Sequence, residues 1–325
     1  MKKKVALVID NDHFIKHNIP EWKEKFDLKI FNPPRSPPKI KTPIDIIRVL
    51  RNKIAVRTQL PKLANWADIV FCEWATHYLK WLSNKNYNNI LACRMHRFEL
   101  ERHYNEIKWN NVDSVLFISE AMEKKFHEKG GYHGKTYVTY DNLDFDKFPL
   151  SQKEKTMQIG MLGNIEKRKG VLDFVKLFEK LNLPNIKLSV AGKAKDAKYF
   201  GEIKTYISEQ NLKNRIIIEG YVDDLNEWYL SNDCIISNSV DEGAQTSIIE
   251  GVATGRWAIS KNWEGADEIV DSKGLFSNFD ELKKCLERFY SWNDTERKQH
   301  IDEARDGLMK KLTERPKMHQ IISDF

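Results

Sequence analysis

The sequence predicts an α/β protein made of two doubly wound domains. Its 325 residues are more than an ordinary domain with one hydrophobic core contains, and they suit two domains of about 150 residues each. Short apolar runs alternate with helical patterns, as in Cys234–Ile236, the helical stretch Ile248–Ala253 and Trp257–Ile259. This alternation is typical of a parallel sheet covered by helices. The polar, aperiodic stretch Pro149–Thr156 lies between the two halves and indicates a linker.

Charged residues follow the predicted strands of the first domain. Four apolar runs predict buried strands there, namely Val5–Ile9, Ala67–Cys72, Ile90–Cys93 and Ser114–Ile118. Glu73 follows the second run, whereas Arg94, His96 and Arg97 follow the third. Carboxyl ends of parallel strands are where α/β proteins bind ligands, and a neutral imidazole there could hydrogen-bond a hydroxyl group. The alternatives are an exposed surface histidine and an exposed acid at a strand end.

The second half contains a turn that suits an anion. Its strands are predicted at Met157–Leu162, Lys187–Gly192 and Ile216–Gly220. Gly163 permits a tight turn after the first of these strands, and an amphipathic helix begins at Val171. Lys169 stands at the N-terminus of that helix, where a cation opposes the helix dipole unless an anion binds there.

Composition excludes several classes of protein. No apolar run approaches the roughly 20 residues of a membrane helix, and the apolar run after Met1–Lys4 is too short for a signal peptide. The chain has four cysteines and no Cys-x-x-Cys pair, which argues against a disulfide framework or a zinc site. A reducing cytoplasm fits this composition.

Positive charge is concentrated in the first half. Residues 1–149 contain 26 Lys and Arg against 18 Asp and Glu, whereas the remainder contains 27 against 29. Between Arg35 and Lys62, eight basic residues face one acid, Asp45, and share the segment with Ile47, Leu50 and Ile54 at helical spacing. The segment is either a surface helix that contacts anionic lipid or an ordinary amphipathic helix packed on its own sheet. Nucleic-acid binding is disfavoured because interleaved aromatic residues are sparse.

Two glutamates accompany a loop-helix element in the stretch Cys234–Val270. Glu242 precedes the helix, and Glu250 lies about two turns into it. Gly243 and Ala244 are small enough for their backbone N–H groups to approach a phosphate or a sugar. Either glutamate taken alone is more simply a solvated acid.

The whole pattern resembles the donor-site signature of the retaining glycosyltransferases of family 4. The matching residues are Glu-Gly at 242–243, Glu250, Gly-Val-Ala-Thr-Gly at 251–255 and Glu-Gly-Ala-Asp-Glu-Ile-Val at 264–270. Lys169-Gly170 also matches, whereas Asn164 replaces the family's arginine. In the first half, Asp141–Phe148 resembles the segment that ends the family's first domain, with Leu143 where glycine is usual. The resemblance covers roughly residues 67–270.

This resemblance implies the GT-B fold, with two Rossmann-like domains that face each other across a cleft. Residues 1–149 would form the acceptor-side domain, 150–305 the donor-binding domain, and 306–325 a C-terminal helix that returns to the first domain. The implied catalytic residues are His96, Glu242 and Lys169. The implied donor-binding residues are Gly163, Asn164, Arg168, Lys169, Tyr221, Val222, Glu242, Gly243, Ala244, Gln245, Thr246 and Glu250. Glu73, Arg94 and Arg97 would lie on the acceptor side, and no metal or other cofactor is expected.

The implied activity is retaining, metal-independent transfer of a hexose from a nucleotide diphosphate sugar, UDP ahead of GDP. The acceptor would be a glycan, a lipid-linked molecule or a cell-envelope polysaccharide. Nucleic acid is not an expected partner, and the expected location is the cytoplasm, with peripheral contact at the inner face of the membrane. Two alternatives remain, a GT-B epimerase or hydrolase of nucleotide sugars and a non-catalytic basic binding protein. Whether Arg168 or Lys167 compensates for Asn164 stays open.

Overall fold

The computed structural model describes residues 1–37, 39–140, 147–151, 154–181 and 183–325. The chain divides into two compact units, Met1–Asn142 with Glu314–Phe325 and Leu143–Thr313. The sequence places the boundaries at 149/150 and 305/306 instead. Residues 141–146 of the segment that resembles a domain end lie outside the described residues.

The first unit contains a six-stranded parallel sheet. Its strands are β1 (Lys4–Ile9), β2 (Asp27–Phe31), β3 (Ile69–Glu73), β4 (Ile90–Met95), β5 (Ser114–Phe117) and β6 (Lys135–Val138). They lie in the order β2-β1-β3-β4-β5-β6. The four central strands coincide with the predicted apolar runs. The edge strands β2 and β6 bury few residues, so no continuous apolar run marks them in the sequence.

Short helices cover this sheet. They are α1 (Ile19–Lys25), α2 (Pro43–Thr58), α3 (Leu60–Trp66), α4 (His77–Ser83), α5 (Arg97–Arg102) and α6 (Glu120–Glu128). Two of the helices begin with a side-chain cap. Thr42 and Asp45 form a capping box at the start of α2, and Ser119 accepts a hydrogen bond from the Met122 N–H at the start of α6.

The second unit repeats the architecture. Its parallel strands are β7 (Gln158–Leu162), β8 (Lys187–Ala191), β9 (Ile216–Gly220), β10 (Cys234–Ser237), β11 (Trp257–Lys261) and β12 (Leu275–Phe276), in the order β12-β11-β10-β7-β8-β9. Its helices are α7 (Val171–Lys180), α8 (Ala197–Glu209), α9 (Leu225–Leu230), α10 (Thr246–Ala253), α11 (Phe279–Ser291) and α12 (Asp294–Glu314). The chain ends with α13 (Met318–Ser323), which belongs to the first unit. Helix α7 buries the apolar stripe that the sequence predicts, including Phe174 and Phe178.

The C-terminal residues complete the core of the first unit. Met318, Ile321 and Ile322 on α13 are buried in the same apolar cluster as β1 and β3. The Lys3 ammonium donates a hydrogen bond to the Ser323 carbonyl oxygen at 2.7 Å. Among the helices of the described residues, none combines the length and the apolar character needed to cross a bilayer.

Each sheet has one point at which the chain changes its direction of winding. In the first unit, β2 and β3 lie on opposite sides of β1, and in the second unit, β8 and β10 lie on opposite sides of β7. The loops after β1 and β3 therefore run in opposite directions, as do the loops after β7 and β10. Each pair of loops leaves a crevice at the carboxyl edge of its sheet. Doubly wound proteins bind their ligands at such switch points.

Candidate functional site

The crevice of the second unit is formed by the loops after β7 and β10. A 3-10 turn over Lys167–Lys169 ends at Gly170, whose φ is 62°. A β-carbon on Gly170 would lie 2.4 Å from the carbonyl oxygen of Asn238, so only glycine fits this approach. The Asn238 side-chain amide donates to the Gly170 carbonyl oxygen at 2.9 Å. These contacts hold the lysine-bearing turn against the loop that carries Glu242.

Glu242 is buried between two cations. Its Oε1 lies 2.5 Å from Lys169 Nζ, and its Oε2 lies 2.8 Å from Arg168 Nη1. Burial by itself would raise the pKa of Glu242, but Lys169 and Arg168 outweigh it and hold the pKa below its ordinary value. Glu242 is therefore ionised at neutral pH, and it fixes the position of the Lys169 ammonium.

Arg168 supplies the second cation of this cluster. Its guanidinium also donates to the Asp241 carbonyl oxygen at 2.8 Å and contacts the Glu166 carboxylate at 3.0 Å. The Asn164 side chain is exposed and uncharged, and Lys167 is exposed. The structure thus brings Arg168 to Glu242, whereas it leaves Lys167 at the surface.

Glu250 lies on the second turn of α10, the helix whose N-terminus faces the same crevice. Its Oε2 accepts a hydrogen bond from the Tyr229 hydroxyl at 2.8 Å. Burial raises the pKa of Glu250 to about 7, although the Tyr229 hydrogen bond opposes the shift. Tyr229 has a buried ring, and its hydroxyl reaches the Glu250 carboxylate.

The N-terminus of α10 has no side-chain cap. Gln245 is the N-cap residue, and its side chain accepts from the Ser237 hydroxyl at 2.6 Å instead of from the helix backbone. The first N–H groups of an α-helix have no partner within the helix and carry a partial positive charge. Gly243, Ala244 and Thr246 lie in the loop and first turn that lead into this end. The geometry suits an anion such as a diphosphate.

The ends of β8 and β9 border the crevice. A β-carbon on Gly192, directly after β8, would lie 1.8 Å from the carbonyl oxygen of Gly163. The two loops therefore approach so closely that only glycine fits at position 192. After β9, Tyr221 is exposed, and Lys193 Nζ lies 4.3 Å from the centre of its ring. The predicted contact of Tyr221 and Val222 with a nucleotide base stays a prediction.

In the first unit, His96 contacts two aromatic rings at the β1/β3 switch point. The Trp74 ring stacks on the imidazole at 3.9 Å and the Phe14 ring at 5.3 Å, with interplanar angles of 20° and 23°. Trp74 has a φ of 78°, a left-handed conformation that is strained for a bulky residue. Its indole N–H donates to the Asn11 carbonyl oxygen at 2.8 Å, which holds the ring in place.

Glu73 and Arg94 form an ion pair without exposed surface. Arg94 Nε donates to both carboxylate oxygens at 3.0 Å, and Arg94 Nη2 donates to Oε1 at 2.5 Å and to the Phe14 carbonyl oxygen at 3.1 Å. Burial would raise the pKa of Glu73, but Arg94 and His96 lower it overall. Direct contact of Glu73 or Arg94 with an acceptor, the sequence-based expectation, does not fit this burial. Arg97 instead lies on the surface of α5 and pairs with Glu101, so its acceptor-side role stays a prediction.

This ion pair fixes the chemistry of His96. Glu73 Oε1 lies 3.3 Å from His96 Nε2, and an ionised carboxylate can only accept a hydrogen bond, so Nε2 carries the hydrogen. Burial lowers the pKa of His96, so the imidazole is neutral at pH 7. The lone pair is therefore on Nδ1, which has no hydrogen-bond partner in the part of the chain that the structure describes. A hydroxyl group could donate to it.

Several of the residues in these contacts are absent from the sequence-based set. Phe14 and Asn11 lie in residues 10–66, where no motif is found, although they directly follow a predicted strand. Trp74 stands beside Glu73 at a strand tip, and Asn238 follows β10, so position at a strand end is the signal that could have found these two residues. No three His, Cys, Asp or Glu side chains among the described residues come together as a metal-binding group.

Comparisons with known proteins connect this geometry to one family. A family model described as glycosyl transferases group 1 matches residues 143–306. The chain is 25% identical over 206 residues to the poly(glycerol-phosphate) alpha-glucosyltransferase of Bacillus subtilis (strain 168), a match that covers 60% of this chain and 29% of the relative. The chain thus spans less than a third of that relative's length.

Solved structures match over nearly the whole chain. Anabaena HepE in complex with UDP and glucose superposes with a TM-score of 0.71, at 14% identity and with 100% of both chains covered. Sucrose-phosphate synthase from Thermosynechococcus elongatus gives a TM-score of 0.73, at 13% identity, covering 96% of this chain and 95% of that one. At these identities the likeness establishes a shared fold.

Proposed function

Because the chain belongs to the glycosyl transferases group 1 family and has the GT-B fold, we propose that it is a retaining glycosyltransferase. Its donor is a nucleotide diphosphate hexose, with UDP ahead of GDP as the nucleotide. Its acceptor is a glycan, a lipid-linked molecule or a cell-envelope polysaccharide. The observation that carries this proposal is the cluster of Lys169, Arg168 and Glu242 beside Glu250 and the uncapped end of α10.

The donor diphosphate binds to the N-terminal end of α10 and to the Lys169 ammonium. Negative charge grows on the diphosphate as the bond to the sugar breaks, and fixed positive groups stabilise that charge more than they stabilise the intact donor. Lys169 is already fixed by Glu242 before the donor binds, so little reorganisation is needed. In this scheme the leaving group is stabilised by the chain's own cations, and transfer requires no metal ion.

The two glutamates have separate roles in the proposed mechanism. Glu242, which is held ionised, lies beside the sugar and favours the positive charge that develops at the anomeric carbon. Glu250 accepts hydrogen bonds from the ribose hydroxyls, with Tyr229 orienting its carboxylate. Retention of the anomeric configuration rests on the resemblance to the retaining family.

His96 acts on a sugar or acceptor hydroxyl through Nδ1. Glu73, Arg94, Trp74 and Phe14 are positioning residues, since they fix the tautomer and the plane of the imidazole. We also propose that the enzyme acts in the cytoplasm at an anionic membrane surface, which it contacts through residues 35–62. The relatives support the acceptor class: one is named for a poly(glycerol-phosphate) substrate.

A donor screen tests the proposal. Melting temperatures of the full chain are measured with UDP-, GDP- and CDP-sugars, and transfer is then followed by product chromatography with and without chelator. We expect UDP-sugars to raise the melting temperature, chelator to leave transfer unchanged, and Glu242→Ala and Lys169→Ala to reduce transfer by orders of magnitude. Lys180→Ala, on the exposed side of α7, is the matched control and should keep wild-type activity.

Other outcomes identify the alternatives. A donor converted to free nucleotide and an altered or free sugar, with every acceptor unchanged, would indicate an epimerase or a hydrolase. Absence of any nucleotide-dependent shift, together with steeply salt-dependent binding of polyanions, would indicate a non-catalytic basic protein.

A further inference from the structure

Helix α2 turns its apolar residues away from the protein. Ile46, Leu50 and Ile54 follow one another at intervals of four, and Ile47 lies beside them, so all four fall within an arc of about 100°. These residues, here the apolar face of α2, are 48–59% exposed. Ile40 and Ile44, at 59% and 61%, extend the surface toward the start of the helix.

The side of α2 that packs on the protein is marked by small or polar residues. Asn52 and Ala55 are the buried residues of this helix. The Asn52 amide donates to the Tyr78 hydroxyl at 2.6 Å and to the Pro34 carbonyl oxygen at 3.2 Å, which fixes the rotation of the helix. The interpretation of this segment as an ordinary helix that packs its apolar stripe on its own sheet is therefore wrong.

Basic residues border the apolar face of α2 on both sides. On an ideal helix Lys53 lies about 20° beyond one edge of the apolar arc, and Arg51 lies about 40° beyond the other. Arg57 falls within the arc at the C-terminal end of the apolar face, whereas Arg48 lies on the side of Ala55. All four are exposed, and among the described residues no carboxylate forms an ion pair with Arg51, Lys53 or Arg57. The acid of the segment, Asp45, is engaged in the capping box at the start of the helix.

A groove continues this surface toward the sheet edge. It has a volume of about 470 Å³ and lies between α2 and the end of edge strand β2. Arg51 and Ile54 line it from the helix, and Phe31, Pro33 and Pro34 line it from the other side. A cation and apolar carbon thus face the same space, which suits a phospholipid headgroup next to its acyl chains.

We propose that α2 lies in the interface of an anionic phospholipid bilayer, with its apolar face inserted among the lipids and its two basic borders on the headgroups. An apolar arc edged by cations on both sides is the pattern of an in-plane membrane helix. A second copy of this chain fits less well, because a twofold contact through this face would bring the basic borders together. A soluble polyanion would use the charges but would leave the isoleucines in water.

Vesicle co-sedimentation of the full chain tests this surface. Wild type should partition to vesicles that contain phosphatidylglycerol far better than to pure phosphatidylcholine, and less so at high salt. The double variant Leu50→Gln, Ile54→Gln should lose roughly thirtyfold in partition, and Arg51→Gln, Arg57→Gln roughly twentyfold. All these side chains are exposed, so melting temperatures should stay unchanged. Ile217→Gln and Lys180→Gln, exposed in the second unit, are the matched controls.

Two results would overturn the proposal. If the apolar double variant partitions as wild type does while the arginine double variant does not, the face binds a polyanion by charge and inserts nothing. If the free wild-type chain sediments as a dimer that Leu50→Gln, Ile54→Gln converts to a monomer, the face belongs to a second copy. Vesicle binding requires no sugar nucleotide, so its failure is separate from failure of the proposed transfer activity.

Discussion

Glu250 is a carboxyl group that destabilises the fold in its charged form. Its pKa rises from an ordinary 4.5 to about 7, so the folded state keeps a proton that the unfolded chain loses between these pH values. Stability should therefore fall as pH rises from about 4.5 to 7, by about 3 kcal/mol. A buried carboxyl group with a raised pKa in a crevice is a candidate binding group, which accords with the contact to the ribose proposed for Glu250.

The substitution Glu250→Gln tests this reading. The amide keeps the contact with Tyr229 but cannot ionise, so the second unit should gain about 3 kcal/mol in the free energy of unfolding at pH 8 and little at pH 5. Urea unfolding at the two pH values measures this difference in the free energy of unfolding, with Glu227→Gln on the exposed side of α9 as control. Equal stability of Glu250→Gln and wild type at pH 8 would refute a buried, charged Glu250.

The buried pair Glu73 and Arg94 predicts a second large effect. Glu73→Gln leaves the Arg94 guanidinium buried without its counter-charge, which costs about 3–5 kcal/mol in comparable cases. The exposed pair Arg97 and Glu101 provides the control, and Glu101→Gln should change the free energy of unfolding by less than about 1 kcal/mol. Urea unfolding of the two variants compares them directly. Similar losses in both would show that the first pair is not buried as described.

The tautomer of His96 gives a sharper test of its role. An asparagine can place a polar atom where Nδ1 lies, whereas a glutamine reaches toward the Nε2 position. If Nδ1 is the atom that meets a substrate hydroxyl, His96→Asn should retain more transfer activity than His96→Gln, by roughly tenfold for one hydrogen bond. The rates at saturating donor measure this difference. The reverse order of activity would assign the role to Nε2.

At the scale of elements, the turn between β7 and α7 depends on Gly170. Gly170→Ala adds a β-carbon that would lie 2.4 Å from a backbone oxygen, at a positive φ. We expect a loss of roughly 1–3 kcal/mol in stability and, because Lys169 is displaced, a larger fall in transfer. Gly201→Ala in α8 meets no atom within 4 Å and should be neutral or slightly stabilising. Thermal unfolding and transfer rates compare the two variants, and wild-type behaviour of Gly170→Ala would contradict the geometry.

In the first unit, strands with a continuous apolar run could be predicted from sequence, and strands without one could not. The four central strands of the first unit and helices α7 and α10 carry such a signal. The edge strands β2 and β6 do not. For α2 the periodic pattern shows that the apolar residues share a face, but it cannot say whether that face packs inward, and here Asn52 decides that it does not.

At the scale of the whole molecule, strand order creates both functional crevices. Lys169 and Glu242 are 73 positions apart in the chain and meet because β7 and β10 are neighbours across the switch point. Motifs predicted these two residues, but no periodicity in the sequence encodes that order. For the same reason the loop after β1, which supplies Phe14 and Asn11, could not be assigned to the His96 site before the sheet was known.

The C-terminal residues should matter for the first unit. Deleting residues 316–325 removes Met318, Ile321 and Ile322 from its core and exposes the apolar surface that they cover. We expect a loss of several kcal/mol, at about 1.5–3 kcal/mol for each buried side chain. Urea unfolding measures the change, with Asp324→Ala at the exposed end of the same segment as control. Unaltered stability of the longer deletion would show that α13 contributes nothing to this core.

The central claim is that the leaving nucleotide binds at the switch point of the second unit, held by Lys169 and the end of α10. Calorimetric titration of UDP into wild type, Lys169→Ala and Lys180→Ala tests this claim most directly. We expect Lys169→Ala to weaken UDP at least about tenfold through loss of a charge-assisted contact, with Lys180→Ala equal to wild type. Equal affinity of all three proteins for UDP, or absence of binding to wild type, would contradict it.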